Sequence, residues 1–351
     1  MNNRPILGIT MGDPSGIGPE IILKALFEKQ VYDDSKPVII GDHKVINKAL
    51  KLLNNDSFSI NVVGNVDACL FEYGTIDVFH LELVDMEKFT IGEVSSMSGN
   101  AAFQCVKTAI ELALQNKIDA TITAPLNKES LNLAGFKYSG HTEIYAELTK
   151  TSDYSMMLAE GNLKVVHVST HVSLRQACDL VKRERVLAVI ELAYNACRDL
   201  GIKSPKIAVA GLNPHAGENG LFGTEEINEI MPAISDAKAK GLDASGPYPP
   251  DTIFPKAVGG FYDIVVAMYH DQGHIPLKVL GFQYDQEKQN WKAVNGINVT
   301  LGLPIIRSSV DHGTAFEIAW KQIANQSSML QAIDYGIKLA KIRIARSQNE
   351  D

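Results

Sequence analysis

The sequence lacks long apolar stretches, clustered cysteines and an excess of positive charge. No apolar run approaches the roughly 18 to 20 residues needed to cross a bilayer, so we expect no membrane partner. The four cysteines lie far apart without a CxxC pair, and the N-terminal residues contain no signal-peptide core, which together predict a cytoplasmic protein. The 33 basic residues are outnumbered by 41 acidic ones, giving a net charge of −8. This mild acidity excludes the electrostatic footprint of a nucleic-acid-binding protein.

Short β-branched runs alternate with helical patterns along the chain. Runs that are apolar throughout are typical of strands buried on both faces, so we expect parallel strands. The clearest helical pattern covers 100–116, and either Ser98 or Asn100 would cap that helix. Strands alternating with helices predict an α/β fold. The predicted strands are 6–10, 37–41, 76–80, 119–123, 163–169, 206–211 and 263–269.

Two segments interrupt this alternation. The stretch 241–251 is dense in proline and glycine and is predicted to be a surface loop. The charged stretch 282–296 is predicted to be a hairpin or lid, with a solvated excursion as the alternative.

A glycine-rich turn, GDPSGIGPE at 12–20, follows the first predicted strand. Such a turn aims backbone N–H groups outward, as an anion site requires. The Rossmann fingerprint needs a glycine where Ile21 stands, and Pro19 lies inside the motif. An ordinary Rossmann site is therefore disfavoured, and a tight turn without a ligand remains the alternative.

Three histidines lie just past the ends of predicted strands: His171, His215 and His270. Ligands of open α/β sheets bind beyond the carboxyl ends of the strands, so the three imidazoles are expected to converge. Three nitrogen donors with open coordination positions are typical of a catalytic metal site, and nitrogen ligands favour zinc, cobalt or nickel over magnesium.

Neighbouring carboxylates and the remaining histidines are weaker candidates. Asp271 follows the third histidine and Asp263 precedes the same strand, so either would ligate the metal, orient an imidazole or serve only in a turn. His167 is expected in the core. His43 and His80 are expected in loops or at the surface, with no assigned role.

Candidate anion anchors occur at two places. His141 and Thr142 begin a short amphipathic helix, whose free N–H groups favour an anion, although Thr142 would also serve as a cap. Lys278, Asn298 and Arg307 are typical phosphate or carboxylate donors near the third histidine in the sequence.

These motifs together resemble the 4-hydroxythreonine-4-phosphate dehydrogenase family of pyridoxal phosphate biosynthesis. The resemblance runs in order from about residue 5 to 320. The motifs that carry it are TMGDPSGIGPE (10–20), TAPLNK (123–128), GHTE (140–143), TH (170–171), GLNPHAGE (211–218), GPYPPDT (246–252), YHDQG (269–273) and GLPIIRSSVDHGTA (302–315).

The resemblance implies a site composed of several groups. It implies one divalent metal, zinc, cobalt or magnesium, on the three strand-end histidines, and NAD or NADP at the loop DHGTAFEIA (311–319), where a helix cap after a turn is the alternative. Lys278 and Asp271 are the candidates for proton transfer. The implied metal ligands are His171, His215 and His270. The implied substrate contacts are His141, Thr142, Lys278, Asn298 and Arg307, and the implied cofactor contacts are Asp311, His312, Gly313 and Thr314.

The fold implied by the resemblance is similar to that of isocitrate and isopropylmalate dehydrogenases. It consists of two α/β/α domains with a cleft between them, and is not a Rossmann fold. The first domain, on the NAD side, is expected over 1–125 and about 270–351, and the second, on the metal and dimer side, over about 126–269. A homodimer that completes each active site is also implied.

The implied reaction oxidises the 3-hydroxyl of 4-phosphohydroxy-L-threonine and then decarboxylates the product to 3-amino-2-oxopropyl phosphate. Two features, His274 and the long stretch between Lys278 and Asn298, instead resemble the branch acting on D-threonate or D-erythronate 4-phosphate, which yields dihydroxyacetone phosphate. Two other classes remain as alternatives: a metal-dependent lyase or phosphatase without nicotinamide, and a non-catalytic binding protein for a phosphorylated sugar acid.

Overall fold

The computed structural model describes residues 4–287 and 290–350. Its strands, in chain order, are β1 (Ile6–Thr10), β2 (Lys36–Gly41), β3 (Ser59–Val63), β4 (Thr75–His80), β5 (Ala120–Thr123), β6 (Ser155–Glu160), β7 (Leu163–His167), β8 (Ile207–Ala210), β9 (Ala244–Tyr248), β10 (Ile264–Ala267), β11 (Phe282–Asp285), β12 (Asn290–Val294), β13 (Ile297–Leu301) and β14 (Arg307–Val310). Its helices are α1 (Gly18–Leu26), α2 (Lys29–Asp34), α3 (His43–Leu52), α4 (Ser96–Leu114), α5 (Lys128–Leu133), α6 (His141–Leu148), α7 (Leu174–Leu180), α8 (Arg183–Asp199), α9 (Met231–Ala239), α10 (Pro250–Val258), α11 (His270–Gly281) and α12 (Ser327–Glu350). Within the described ranges, none of these helices is long and apolar enough to span a membrane.

The chain forms two compact units, of which the first is discontinuous. This unit extends to Thr151 and resumes at Leu303, and the second comprises Ser152–Gly302. The sequence predicts boundaries between the units at residue 125 and at about residue 270. Both observed boundaries, after Thr151 and after Gly302, lie later in the chain.

Helix packing explains where the units divide. Helices α5 and α6 both contact α4, and Gly99 of α4 lies so close to the main-chain oxygen of Ser130 that no Cβ would fit there. These contacts tie both helices to the first unit. At the second junction α11 packs on β6 and β7, where Gly273 abuts the imidazole of His167. This helix therefore belongs to the second unit.

The sheet of the first unit has the order β3-β4-β2-β1-β5-β14, and all its neighbouring strands are parallel. Helices α4 and α12 both pack against β1 and β5. Apart from Ile6 at the start of β1, the apolar residues of these two strands are fully buried, or nearly so, as expected for central parallel strands. The loops that follow β1, β2, β4 and β5 share one edge of this sheet.

The sheet of the second unit has the order β13-β6-β7-β10-β8-β9. Strands β7, β10, β8 and β9 are parallel, whereas β13 and β6 run antiparallel to their neighbours. The core includes Leu158, Val165, Ala208, Val265 and Leu277. The loops after β7, β10 and β8 therefore leave the sheet at one edge.

Each predicted strand is confirmed, but two local predictions were wrong. The stretch 241–251 contains β9, a strand at the edge of the sheet, where Pro247 is tolerated because an edge position does not require its missing N–H. Helix α4 begins at Ser96, and its cap is Ser95, whose Oγ accepts the N–H of Ser98 at 3.1 Å. Both expected caps, Ser98 and Asn100, therefore lie inside the helix.

The hairpin expected over 282–296 is present as the antiparallel pair β11 and β12. Residues 288–289 of that stretch lie outside the described residues.

Candidate functional site

The three predicted metal ligands follow neighbouring strands of the second unit. His171 comes after β7, His215 after β8 and His270 after β10, and β10 pairs with both of the other strands. The carboxyl ends of adjacent parallel strands lie at the same edge of a sheet. The strand-end placement deduced from the sequence is therefore correct.

Two of these histidines share one open pocket. A cavity of about 550 Å³ is lined by residues that include His171, Leu174 and His270, and the two imidazole centroids are 5.8 Å apart. Nδ1 of His270 lies 2.7 Å from Oδ1 of Asp271. This pairing leaves Nε2 of His270 as the coordinating nitrogen, a carboxylate–histidine arrangement typical of metal ligands. Asp263 precedes β10, where its carboxylate accepts the N–H of Lys206 at 2.8 Å, so it lies away from this edge.

His215 is exposed on a loop of unusual conformation. Residues 215–219 all have positive φ, a region that is costly for side chains other than glycine. Glu226 holds the base of this loop, since its Oε1 accepts the N–H groups of Leu212 and Asn213, both at 2.8 Å. The side chain of Glu226 is 2 % exposed. A buried carboxylate therefore stabilises the conformation that presents His215.

One chain does not assemble the three strand-end histidines into a ligand set. Among the described residues, ligand atoms of three His, Cys, Asp or Glu side chains come within 4.8 Å of one another only at Asp42, His43 and His80. This set lies in the first unit. The convergence of the strand-end histidines stays a prediction for an assembly that includes a second copy.

Helix α11 carries a row of polar residues four positions apart. His270, His274 and Lys278 share one face because a helix turn is 3.6 residues. The rings of His270 and His274 are stacked, with centroids 3.6 Å apart and planes 11° apart. Burial lowers the pKa of His274 to about 3, so this ring is neutral. Its Nδ1 donates to the main-chain oxygen of His270 at 2.9 Å.

His141 and Arg307 form a buried group in the first unit. Arg307 is 2 % exposed, and its Nη2 donates to Oγ1 of Thr123 at 3.0 Å. Nε2 of His141 is buried and meets no hydrogen-bond partner among the described residues. Burial, reinforced by Arg307, lowers the pKa of His141 well below its usual value. An anion bound here would satisfy the imidazole and compensate the guanidinium for its lost hydration.

The other expected substrate contacts are divided between the two units. Thr142 is the second residue of α6, whose N-cap is Gly140 with no capping side chain, so the capping explanation for Thr142 was wrong. Lys278 and Asn298 belong to the second unit. The Nζ atom of Lys278 lies 4.4 Å from the ring centroid of Phe282.

The glycine turn and the expected cofactor loop contact each other in the first unit. The N–H of Ile17 donates to the oxygen of Thr314 at 3.0 Å, and a Cβ on Gly16 would lie 2.8 Å from Cβ of Thr314. Gly313 is exposed, with open space where a Cβ would be. The loop 311–314 is thus anchored at Thr314 and accessible at Gly313. The next helix begins only at Ser327, so a helix cap does not explain the motif.

Several residues with unusual environments were not assigned a function from the sequence. Asp13 in the glycine turn is fully buried, which raises its pKa to about 6. Glu226 carried no local signal, because its role depends on main-chain N–H groups 13 and 14 positions earlier in the chain, which it meets only in the folded structure. His80, in contrast, ends a β-branched run, so the strand-end argument used for the other histidines also applies to it.

The chain matches the model of the family described as "Pyridoxal phosphate biosynthetic protein PdxA" over residues 33–336. It is 51% identical to a putative D-threonate 4-phosphate dehydrogenase from Oceanobacillus iheyensis over 97% of this chain and 99% of that protein. It is 48% identical to D-threonate 4-phosphate dehydrogenase from Salmonella typhimurium, over 95% of this chain and 98% of that protein.

Among solved structures, 4-hydroxythreonine-4-phosphate dehydrogenase from Klebsiella pneumoniae is similar with a TM-score of 0.83 and 45% identity, covering 96% of this chain and 99% of that chain. The family resemblance and the mixed α/β fold class are thereby confirmed. The chain belongs to the PdxA family and is an oxidative decarboxylating dehydrogenase.

Proposed function

We propose that the chain oxidises the 3-hydroxyl of D-threonate 4-phosphate with NAD and decarboxylates the product to dihydroxyacetone phosphate. The observation that supports this choice of substrate is the 45–51% identity to several relatives named for D-threonate 4-phosphate. These relatives favour the alternative substrate of the sequence analysis over 4-phosphohydroxy-L-threonine. The latter remains the competing substrate, because the Klebsiella protein is named for it.

The buried group in the first unit is proposed to bind the phosphate end of the substrate. Arg307 contributes a permanent charge and a planar array of donors, and His141 contributes a buried nitrogen that needs a partner. Thr142 adds a hydroxyl and an N–H at the first turn of α6. Lys278 and Asn298 are proposed as the further substrate contacts from the second unit.

His171, His215 and His270 are proposed as the ligands of one divalent cation. The donor chemistry fits, since His270 is already oriented by Asp271 and shares a pocket with His171. Bound there, a divalent cation would acidify the substrate hydroxyl and stabilise the negative charge that develops during oxidation and decarboxylation. A second copy of the chain is proposed to complete the ligand set.

The remaining roles fall to residues near these groups. Asp271 orients His270 rather than moving a proton, because its carboxylate is engaged at 2.7 Å. Lys278, two helical turns beyond His270, is the proposed proton donor to the carbon that loses carbon dioxide. The loop of Asp311, His312, Gly313 and Thr314 is proposed to bind NAD, which accepts the hydride.

The substrate assignment is tested by comparing kcat/KM for D-threonate 4-phosphate, D-erythronate 4-phosphate and 4-phosphohydroxy-L-threonine under one metal. The assay follows reduced nicotinamide and, for the first two substrates, dihydroxyacetone phosphate. We expect D-threonate 4-phosphate to be preferred by at least about tenfold, since a site that is arranged for a hydroxyl rejects its replacement. A preference for the aminated substrate would overturn the assignment. Phosphate release without reduced nicotinamide would instead indicate a metal-dependent phosphatase.

A further inference from the structure

A second group of metal-ligating side chains lies in the first unit, outside the residues assigned above. Strands β2 and β4 are parallel neighbours, and Gly41 is directly opposite His80. Asp42 and His43 follow Gly41 immediately. The sheet register therefore brings the end of β4 beside the start of α3.

The two imidazoles of this group are separated as two ligands of one ion would be. Nδ1 of His43 and Nδ1 of His80 are 3.2 Å apart, and the ring planes make an angle of 84°. Two nitrogens bound tetrahedrally to zinc at about 2.0–2.1 Å are about 3.3 Å apart. An ion would therefore fit between these nitrogens with little movement of either ring.

The third ligand is a carboxylate that folding already holds in place. Asp42 is fully buried. Its Oδ2 accepts the N–H groups of Leu83 and Val84 at 3.0 and 2.9 Å. Among the described residues, its Oδ1 accepts only the N–H of Lys44, at 3.0 Å. A carboxylate oxygen has two lone pairs, so Oδ1 keeps one for a cation.

The surroundings of His80 also match those of a metal ligand. Its Nε2 lies 3.1 Å from Oε2 of Glu82, which leaves Nδ1 as the coordinating atom. Glu82 is paired in turn with Lys44. The two carboxylates, Asp42 and Glu82, outnumber the one lysine, so the local charge favours a cation.

Without an ion, the same residues are joined by hydrogen bonds. Nδ1 of His80 accepts the main-chain N–H of His43 at 3.3 Å, and a single proton lies between the two Nδ1 atoms. Metal binding at both Nδ1 atoms requires that proton to move to Nε2 of His43, which is a change of tautomer without net release of a proton. The two histidines thus have a stable apo arrangement as well as a geometry suited to coordination.

We propose that Asp42, His43 and His80 bind a second divalent transition-metal ion, of the zinc type, independently of the proposed catalytic metal. Two imidazoles and one carboxylate select such an ion over magnesium or calcium. The ion joins the end of β4 to the start of α3 and stabilises the first unit.

The test uses the full-length, metal-stripped chain carrying His215→Ala, so that the proposed catalytic ion is disabled. Cobalt(II), a spectroscopic substitute for zinc, is titrated while its visible absorption and the bound stoichiometry are measured. We expect one ion per chain with a tetrahedral spectrum, and a rise in Tm with zinc. No binding in this background would overturn the proposal.

Variants added to His215→Ala assign the ion to its ligands. His43→Ala and His80→Ala should each weaken cobalt binding by at least about 100-fold and abolish the tetrahedral spectrum. His312→Ala, which removes a histidine of the first unit outside this group, is the matched control. His43→Gln, of similar size, together with circular dichroism of every variant, separates ligand loss from misfolding. Unchanged cobalt binding in folded His43 and His80 variants would place the ion elsewhere.

Discussion

The proposed phosphate and metal groups differ in how far one chain completes them. Arg307 is buried in the first unit, and Nε2 of the half-buried His141 is shielded from water there. His171 and His215 are exposed, and within one chain the three strand-end histidines do not come together as a set of metal ligands. Folding of one unit is therefore sufficient to form the anion group, whereas the metal group also requires an ion and, as proposed, a second copy. Substitutions in the proposed catalytic metal group should change activity while the stability of the fold stays the same.

The largest effect is expected from His215→Ala. Removing a ligand should lower metal affinity and kcat/KM by more than about 100-fold, beyond the range usual for residues that only support a ligand. Stability should hardly change because His215 is exposed. Elemental analysis, steady-state kinetics and thermal melting measure the three quantities. Leu174→Ala, an exposed change in the pocket of His171, is the control, and full turnover by His215→Ala without bound metal would contradict the metal role.

The next effect is on stability and concerns the buried acid of the first unit. The pKa of Asp13 is raised from 3.8 to about 6, so between these values the folded protein holds a proton that the unfolded chain has released. Its contribution to stability therefore falls as pH rises through this range, by up to about 3 kcal/mol at neutral pH. Asp13→Asn should be more stable than the parent at pH 7, and this difference should disappear near pH 4.

Urea unfolding at several pH values measures that difference. Asp56→Asn, which removes an exposed carboxylate, is the control. A constant difference between Asp13→Asn and the parent across the range would show that this carboxyl is not the titrating group.

Arg307→Lys tests whether the proposed phosphate group depends on the planar donors of arginine or only on its charge. Lysine keeps the charge but loses the planar donors, so KM for the phosphorylated substrate should rise by about 10- to 100-fold while kcat changes little. Arg185→Lys is the matched control, since Arg185 is half-buried and donates to the main-chain oxygens of Val168 and Tyr154. An unchanged KM in Arg307→Lys would remove this residue from the site.

The smallest expected effect is at the base of the His215 loop. Glu226→Gln keeps the size of the side chain but replaces one acceptor oxygen with a donor, which should loosen the loop and weaken metal binding by about tenfold. Glu225→Gln is the matched control, because the half-buried Glu225 accepts from the side-chain nitrogen of Asn213 at 2.7 Å but from neither main-chain N–H at the loop base. Metal titration compares the two. Equal affinities would mean that Glu226 supports the fold alone.

The sequence was most informative where one physical signal dominates. Central parallel strands such as β1 and β5 are buried on both faces, so their apolar runs stand out. The edge strand β9 escaped notice: it contains Gly246 and Pro247 and was mistaken for a loop. Its pairing with β8 depends on residues more than 30 positions away, which local composition does not reveal.

The site shows the same division. The strand-end positions of His171, His215 and His270 follow from local patterns, because each lies within a few residues of the end of an apolar run. The supporting roles of Glu226 and His274 do not, since they arise from contacts formed only after folding. His43 and His80 were expected in loops or at the surface and were assigned no role, although the register of β2 and β4 places the two rings together.

The discontinuity of the first unit imposes an order on biosynthesis. Every residue of the second unit has been translated before Leu303, whereas β14, which pairs with β5, and α12, which covers β1 and β5, are made last. A ribosome-bound chain can therefore complete its later unit while its earlier one still has an open strand edge. That edge is where nascent chains would pair with one another, until the C-terminal segment emerges and closes it.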